Sequence, residues 1–504
     1  MNTEVKQDEI NRRVWEACDT FRGTVSPDIY KDYVLTMLFL KYISDVWQDH
    51  YDAYKEQHGD HPELIAELMK NERFVLPEDA NFYALHARRH EKGTGERIDK
   101  ALHAIEEANL AKLRDVFQDI SFNSNRLGEE QQKNDLLRHL LEDFAKEELD
   151  LRPSRIGNLD IIGNAYEYLI KNFAADAGRK AGEFYTPPEV SELMAELMAP
   201  KEGDEICDPT CGSGSLLMKC GRQITRNFKG SKKYALYGQE SIGSTWALAK
   251  MNMFLHGEDN HKIEWGDTIR TPKLLDNAGG LKHFDIVVAN PPFSLEKWGH
   301  DKAEGDKFKR FKRGVPPKSK GDYAFILHMV ETMKPKSGRM AVVAPHGVLF
   351  RGAAEGKVRT KLVDENLLDA VIGLPEKLFY GTGIPACILV LRAKKTDKNV
   401  LFIDASREFV SGKNQNQLSS ENVAKIVATY ETREGVDKYA YLATPEEIAE
   451  NDFNLNIPRY VDTFEEEEEI DLLAVRKERE ALKAELAELE TKMDDYLKEL
   501  GYGS

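Results

Sequence analysis

The pattern of hydrophobic and polar positions changes twice along this chain. Up to about residue 150, apolar residues recur at helical spacing, and Tyr30 to Ile43 is apolar around nearly the whole circumference, which predicts a buried helix. From Ile156, short apolar runs alternate with helical patterns, as is typical of α/β proteins. From Ile470 to Leu500, a Glu/Lys/Ala/Leu pattern predicts one long helix. Three domains are therefore expected, at residues 1–155, 156–460 and 461–504.

The short apolar runs of the middle region predict the strands of a doubly wound, Rossmann-like sheet. They are Glu205 to Cys207, Tyr234 to Gly238, Ile286 to Ala289, Arg339 to Pro345, Leu368 to Leu374 and Ala386 to Leu391, with Val400 to Asp404 as a possible edge strand. Beyond these, Thr444 to Asn451 predicts a capped helix. The N-terminal region shows no catalytic spacing, so we interpret it as a helical accessory domain whose surface could face a substrate or partner.

Composition limits the function. The 504 residues carry a net charge of −17 and are 41% hydrophobic, which is ordinary for a globular protein with more than one core. This acidity argues against independent affinity for nucleic acid, so an action on DNA would require a basic partner. The five cysteines lack zinc spacing, no metal site is expected, and no apolar run is long enough to span a bilayer. A cytoplasmic protein with reduced thiols is expected.

Acidic and glycine residues follow the predicted strands where ligands bind in open α/β sheets. Asp208 opens a turn containing Gly212 and Gly214, which let a ligand approach the backbone, but the turn matches neither a phosphate loop nor a complete dinucleotide fingerprint. Asp208 suits a cationic amino-acid group, Glu240 suits ribose hydroxyls, and Asp267 suits the amino group of an adenine ring. Each acid alone could be a helix cap. Together they predict a site for S-adenosylmethionine.

The segment FDIVVANPPF ends its strand at Asn290, and Pro291 and Pro292 then enforce a stiff, extended turn. The Asn290 amide oxygen and the Pro291 carbonyl can accept both hydrogens of one planar amino group, and Phe293 offers a face for stacking. Two such acceptors stabilise the pyramidal amine of a methyl-transfer transition state. The alternative is a tight turn after a core strand, with Phe293 simply buried.

Two aromatic residues, Phe184 and Tyr185, precede Thr186, Pro187 and Pro188, and the last three residues predict a helix start with Thr186 as its cap. The aromatic pair could pack in a core or line a cavity for a cationic ligand. The segment alone does not decide between these two roles.

The order FYTPPE, DPTCGSG, GQE, GDT and NPPF resembles the amino-nitrogen DNA methyltransferases in which an aromatic-TP segment precedes the cofactor turn. More closely, FRGTVSPDIYKDYVLTMLFLKYISD, DIIGNAYEYLI, AGEFYTPPEV and DFNLNIPRYVD resemble the modification (M) subunit of type I restriction-modification systems, over essentially the whole chain. The implied fold is an S-adenosylmethionine-dependent methyltransferase sheet with an N-terminal helical domain and a C-terminal long helix.

The resemblance implies methylation of adenine N6 in DNA by direct transfer from S-adenosylmethionine. It also implies a complex of two M subunits with one specificity subunit, to which a restriction subunit adds cleavage. Asn290, Pro291, Pro292 and Phe293 would be catalytic. The implied cofactor residues are Glu183, Phe184, Tyr185, Thr186, Pro187, Pro188, Asp208, Gly212, Ser213, Gly214, Ser215, Glu240 and Asp267.

Two further segments have open interpretations. The basic stretch from Lys302 to Lys320 is either a solvated loop, a mobile lid or a phosphate contact through Lys309, Arg310, Lys312 and Arg313. The tail helix follows Glu465 to Glu469 and either packs on the N-terminal domain or pairs with a specificity subunit. Its apolar stripe is Leu472, Val475, Leu482, Leu486, Leu489, Met493 and Leu497.

Two alternative functions compete with DNA adenine methylation. One keeps the chemistry but acts on protein glutamine or RNA. The other is a non-catalytic scaffold, against which the intact Asp208, Glu240 and Asn290 argue.

Overall fold

In a computed structural model, which describes residues 6–59, 61–156, 160–177, 185–379, 383–413, 415–463 and 472–502, the chain forms two compact units, Met1–Val461 and Asp462–Ser504. The predicted boundary between residues 155 and 156 falls inside the first unit, where helical and sheet residues share one buried core. The domain boundaries therefore stay predictions. No helix among the described residues is long and apolar enough to cross a membrane.

The first part of the larger unit is helical, as the spacing predicts. Its α-helices are α1 Gln7–Glu16, α2 Pro27–His58, α3 Pro62–Met69, α4 Phe82–Ala87, α5 Thr94–Ala108, α6 Leu110–Leu113, α7 Glu130–Phe144, α8 Pro153–Ile156 and α9 Asp160–Ala177. The predicted buried helix is confirmed within α2, whose residues from Tyr33 to Asp45 are all buried. Burial extends to Lys41 and Asp45, which neutralise each other as an ion pair one helical turn apart.

The described residues contain a sheet of nine strands in the order β3-β2-β1-β4-β5-β7-β6-β8-β9. The strands are β1 Glu205–Asp208, β2 Ala235–Glu240, β3 His261–Trp265, β4 Ile286–Ala289, β5 Arg339–Pro345, β6 Leu368–Gly373, β7 Ala386–Arg392, β8 Val400–Asp404 and β9 Ala440–Ala443. Strands β1 to β5 pair in parallel, whereas β7 runs antiparallel to both β5 and β6. The parallel strands form the Rossmann-like part of the sheet that the sequence predicts.

One predicted feature of the sheet is wrong. Val400–Asp404 is not an edge strand, because it pairs in parallel with β6 on one side and antiparallel with β9 on the other. The neighbouring strand Ala440–Ala443 has only four residues and a weak apolar pattern, so the sequence does not predict it as a strand.

Helices cover both faces of the sheet, which explains why its strands are apolar on both sides. They are α10 Pro188–Met198, α11 Ser215–Asn227, α12 Gly243–Leu255, α13 Asp322–Thr332, α14 Gly347–Phe350, α15 Ala353–Asp364, α16 Ser420–Thr432 and α17 Pro445–Glu450. Alternate residues of one strand enter different cores: Ile286 and Val288 join the helical N-terminal region, and Val287 joins the opposite cluster. The predicted cap of α17 is confirmed by a capping box between Thr444 and Glu447.

The second unit contains α18, Leu472–Glu499. The predicted long helix is therefore confirmed. The apolar side chains described on its stripe are 38–58% exposed. Glu465 to Glu469 and the Leu472 side chain lie outside what the structure describes.

Candidate active site

The carboxyl ends of β1, β2 and β4 lie side by side because these parallel strands are neighbours in the sheet. They carry Asp208, Glu240 and, directly after β4, Asn290. A cleft opens at this edge, between the β1 turn and the segment leading to α10. Its lining residues are Tyr185, Thr186, Asp208, Thr210, Cys211, Gly212, Ser213, Ser215, Leu216 and Asn290. Residues from three predicted segments thus meet in one cleft.

The turn between β1 and α11 depends on glycine. Gly212 has φ +53° and Gly214 has φ +81°, which is the left-handed region that other residues avoid. A Cβ on Gly214 would lie 2.6 Å from Cε of Met253, so the end of that side chain would have to move to make room for it. The following Ser215 begins α11, and its hydroxyl lies 2.9 Å from the hydroxyl of Ser213. The turn therefore brings backbone and small polar groups to the cleft.

Asp208 and Glu240 are buried carboxylates that hold this turn together. Asp208 Oδ1 accepts a hydrogen bond from the Thr210 amide at 2.9 Å, and Glu240 Oε2 accepts one from the Gly212 amide at 3.1 Å. Glu240 Oε1 also accepts from the Ile242 amide at 2.9 Å. These amides satisfy part of the hydrogen-bonding capacity of both side chains.

Of these two carboxylates, Asp208 lines the cleft, whereas Glu240 is not among the lining residues and contacts the amide of one of them, Gly212. Burial, with the nearby charge of Glu240, raises the pKa of Asp208 to about 7. Burial also raises the pKa of Glu240 above its ordinary value. No described lysine or arginine forms an ion pair with either carboxylate. Asp208 is therefore a buried carboxylate at the cleft whose ionised form a cationic ligand would stabilise.

The Asn290 turn is connected directly to the segment before α10. The Asn290 amide nitrogen donates a hydrogen bond to Thr186 Oγ1 at 3.1 Å, which leaves its Oδ1 as an acceptor at the cleft. Pro291 is buried, and the half-buried Phe293 ring meets Phe379 edge-on, with centroids 6.1 Å apart and an interplanar angle of 64°. The turn is therefore held by contacts on both sides.

One residue that supports this turn has no predicted role. Asp322, the first residue of α13, is 3% exposed, and its Oδ1 accepts a hydrogen bond from the Ser294 amide at 2.7 Å. Its Oδ2 lies 2.6 Å from a guanidinium nitrogen of Arg351. Ser294 directly follows Phe293 and has φ +53°. The only sequence signal is an acidic residue at the start of a strongly apolar helix, which resembles an ordinary helix terminus.

Thr186 differs from its predicted role as a helix cap. The residue before α10 is Pro187, whose carbonyl accepts from the amides of Val190 and Ser191, both at 3.0 Å, and no side chain caps the helix. The Thr186 hydroxyl instead accepts from Asn290. Pro188 is the first helical residue, and the adjacent Tyr185 is buried at the cleft. Glu183 and Phe184 lie outside the described residues.

Asp267 lies at the end of β3, outside the residues that line the cleft. Its Oδ1 accepts from the amides of Ile269 and Arg270, both at 2.8 Å, and its Oδ2 is 3.5 Å from Arg270 Nε. One oxygen therefore stabilises the turn, while the half-exposed side chain still offers the other. Gln239 joins this turn to β2, because its amide donates to the carbonyls of Gly266 and Thr271.

The structure contradicts part of the predicted phosphate contact. Arg310 and Arg313 are only 3% and 6% exposed, so they are not available to DNA. Arg310 pairs with Asp306 at 2.8 Å, and Arg313 pairs with Glu365 at 2.6 Å. Their charges are used within the protein. Lys309 and Lys312, which were predicted with them, are exposed.

Comparisons with known proteins agree with this geometry. Residues 157–469 match the N-6 DNA Methylase family model, and residues 10–144 match the HsdM N-terminal domain. The MpnII methylase subunit of a type I restriction enzyme from Mycoplasma pneumoniae is 30% identical, covering 97% of this chain and 96% of the relative. The MjaVIII methylase subunit from Methanocaldococcus jannaschii is 33% identical, covering 99% and 85%.

The crystal structure of a type I restriction-modification methyltransferase subunit from Streptococcus thermophilus superimposes with a TM-score of 0.81 at 36% identity. It covers 91% of this chain and 100% of that structure. These matches support DNA adenine as the substrate and not the alternatives of protein glutamine or RNA. The chain therefore belongs to the N-6 DNA methylase family, as a methylase (M) subunit of a type I restriction-modification system that methylates adenine N6 in DNA with S-adenosylmethionine.

Proposed function

We propose that the cleft at the ends of β1, β2 and β4 is where this methyl transfer takes place, with the target adenine turned out of the DNA helix onto the Asn290 turn. The supporting observation is the hydrogen bond from Asn290 to Thr186, because it connects the predicted catalytic turn to the predicted cofactor segment. A base within a duplex cannot reach such a recessed turn, so extrusion of the adenine is part of the proposal.

In this mechanism, Asn290 and Pro291 act on the amino group of adenine. The Asn290 Oδ1, oriented by the bond that its amide nitrogen gives to Thr186, accepts one hydrogen, and the Pro291 carbonyl accepts the other. Both bonds strengthen as the nitrogen becomes pyramidal, so they stabilise the transition state more than the ground state. Phe293 stacks on the base, and its contact with Phe379 fixes the ring. The methylated amine is briefly acidic, so its proton leaves without a strong side-chain base.

Bound S-adenosylmethionine supplies the methyl group in this proposal, and the chain's own residues hold and orient it. Asp208 would pair with the ammonium group, Glu240 with the ribose hydroxyls, and the second oxygen of Asp267 with the adenine amino group. Gly212 and Gly214 would allow close backbone approach. The two buried carboxylates support this assignment, because a bound cation would offset the cost of their ionisation.

We further propose that the chain works with a specificity subunit, a second M subunit and, in the complete complex, a restriction subunit. The exposed apolar stripe of α18 supports the pairing with helices of the specificity subunit, since an isolated helix of this kind is only marginally stable. We place the complex in the cytoplasm, consistent with five buried free cysteines.

The test is transfer of labelled methyl groups to unmodified DNA, followed by nucleoside analysis, with and without the specificity subunit. Asn290→Ala should lower kcat by about a hundredfold or more, as expected for the loss of a transition-state acceptor, and leave the Kd for S-adenosylmethionine within about twofold. The control is Asn172→Ala. Asn172 lies on α9, and its amide donates to the Tyr168 carbonyl of the same helix at 2.8 Å.

Label in N6-methyladenine that requires the specificity subunit would support both the site and the partner. Loss of cofactor binding in Asn290→Ala would contradict the separation of the two groups of residues. Full activity of that variant would remove Asn290 from the mechanism.

A further inference from the structure

The basic segment between the Asn290 turn and α13 is an ordered loop. Its ends are joined by a hydrogen bond from the Gly321 amide to the Leu295 carbonyl at 2.9 Å. Inside it, the Trp298 indole donates to the Pro317 carbonyl at 2.9 Å, and its buried ring lies 5.5 Å from that of Phe311. We call residues 295–321 the basic loop. Its closed ends and its own small core favour a packed loop over the alternative of a mobile lid.

Arg310 fastens the basic loop to the ligand edge of the sheet. Its guanidinium donates to the carbonyls of Thr268 and Ile269, at 3.1 and 2.7 Å, and these two residues directly follow Asp267. The same guanidinium forms an ion pair with Asp306 and so offsets the negative charge of that carboxylate within the basic loop. The loop is therefore held beside the predicted cofactor site by a buried arginine, and its position does not depend on the lysines.

The lysines of the basic loop face solvent. Between residues 297 and 320, nine lysines and arginines outnumber three carboxylates, whereas the whole chain has a net charge of −17. Lys302, Lys307 and Lys309 are exposed. A cleft runs between residues 269–272 and the loop, and Arg270, Lys302 and Lys307 line it. Because the carboxylate that lines this cleft, Asp306, is paired with Arg310, the cleft presents mainly positive charge.

We propose that this cleft and the exposed lysines beside it bind backbone phosphates of the DNA strand that carries the target adenine. The proposal rests on the proposed function and adds the surface that positions the strand. Lysine ammonium groups at a fixed loop suit phosphates, which position DNA without reading its sequence. In an acidic chain, such a site also confines DNA affinity to the edge where the chemistry takes place.

The test compares two triple variants of the full-length chain with the same change in charge. Lys302→Gln/Lys307→Gln/Lys309→Gln removes three lysines of the basic loop. The control changes three exposed lysines at the opposite, amino-terminal edge of the sheet: Lys229→Gln/Lys233→Gln/Lys336→Gln. Fluorescence anisotropy with a labelled DNA duplex, in the presence of S-adenosylmethionine and the specificity subunit, gives the affinity over a range of salt concentrations.

Each phosphate contact contributes about 0.9 to the slope of log affinity against log salt concentration, so losing three contacts should lower the slope by about 2.7. The control should keep the wild-type slope, and neither variant should change the Kd for S-adenosylmethionine. Equal slopes for the two triple variants would overturn the phosphate site. That outcome is distinct from failure of the proposed function, which would appear as absence of labelled N6-methyladenine with the wild-type chain in the presence of its specificity subunit.

Discussion

Asp322 offers a sharp test of how the catalytic turn is held. It does not line the cleft, yet it accepts the Ser294 amide at 2.7 Å, one residue beyond Phe293. Asp322→Ala removes this acceptor and leaves a partly buried N–H without it, which costs at most the roughly 1–3 kcal/mol of a buried unsatisfied donor. The same substitution removes the ion pair between Asp322 and Arg351. Arg351 is partly solvated and still pairs with Glu355 at 2.6 Å, so losing this ion pair should lower the stability by less than losing the hydrogen bond to Ser294.

The catalytic effect of Asp322→Ala should exceed its effect on stability. Without the hydrogen bond to Asp322, the left-handed conformation of Ser294, with φ +53°, is no longer stabilised, and Pro291 and Phe293 can shift relative to the base. Misplacement of about 1 Å costs roughly a hundredfold in rate, so kcat should fall by that order while the Kd for S-adenosylmethionine stays nearly constant. Asp322→Asn keeps the acceptor oxygen and loses the charge, so it should restore most of kcat.

The assay is steady-state methyl transfer at saturating S-adenosylmethionine, with thermal unfolding measured on the same samples. Asp369→Ala is a matched control. Asp369 is 4% exposed and accepts from Tyr430 at 2.6 Å and Arg433 at 3.0 Å, but it lies at the amino-terminal end of β6, the opposite edge of the sheet. The Asp369→Ala variant should be less stable than the wild type, but its folded form should keep the wild-type kcat. If folded Asp322→Ala kept kcat within threefold of wild type, or if Asn failed to rescue it, the positioning role would be refuted.

Two further predictions concern the cofactor site. Because the pKa of Asp208 is about 7, its ionised fraction falls from about nine tenths at pH 8 to one tenth at pH 6. The affinity for cationic S-adenosylmethionine, measured by calorimetry, should therefore drop about tenfold over that interval. Asp208→Asn should make this affinity nearly independent of pH. Gly214→Ala should weaken cofactor affinity and lower Tm, because φ is +81° and the added Cβ would lie 2.6 Å from Met253 Cε. Gly230→Ala has the same φ and open space, so it should cost only the backbone strain of about 1 kcal/mol and leave affinity unchanged. A pH-independent Kd, or equal effects of the two alanine variants, would contradict these assignments.

The sequence predicts the parts of the site whose signal is local. A strand that ends in Asn290 and two prolines, or in Asp208 and a glycine turn, places its functional group within a few residues of the strand end. Parallel neighbours then bring those ends together. The bond between Asn290 and Thr186 joins residues that are 104 positions apart, and no local pattern specifies it. The cap expected at Thr186 is therefore wrong, because a distant amide uses its hydroxyl.

The basic loop shows why a charge run is hard to interpret without tertiary contacts. The sequence gives no reason to expect different exposure for the four cationic residues between 309 and 313. In the structure, Arg310 and Arg313 are buried, whereas Lys309 and Lys312 are exposed. The partner of Arg313 at Glu365 is 52 residues away. Guanidinium groups can satisfy several carbonyls and carboxylates at once, whereas a lysine ammonium is more strongly hydrated, so burial selects the arginines. The difference in side-chain chemistry is present in the sequence, but the acceptors that decide burial are not.

The distribution of charge explains how an acidic chain can act on a polyanion. Asp208 is buried at the cleft, and the buried Glu240 bonds the Gly212 amide of the cleft lining, so in the proposed site solvent would not weaken their attraction for a cationic cofactor. The exposed lysines are gathered on a loop that Arg310 fixes to the same edge of the sheet. In the proposed arrangement, the two carboxylates are buried within the turn and bind the cofactor, whereas the lysines face solvent and bind DNA, so opposite charges serve neighbouring ligands. In the proposed docking at the Asn290 turn, the net negative charge of the rest of the chain would disfavour most other orientations of the DNA.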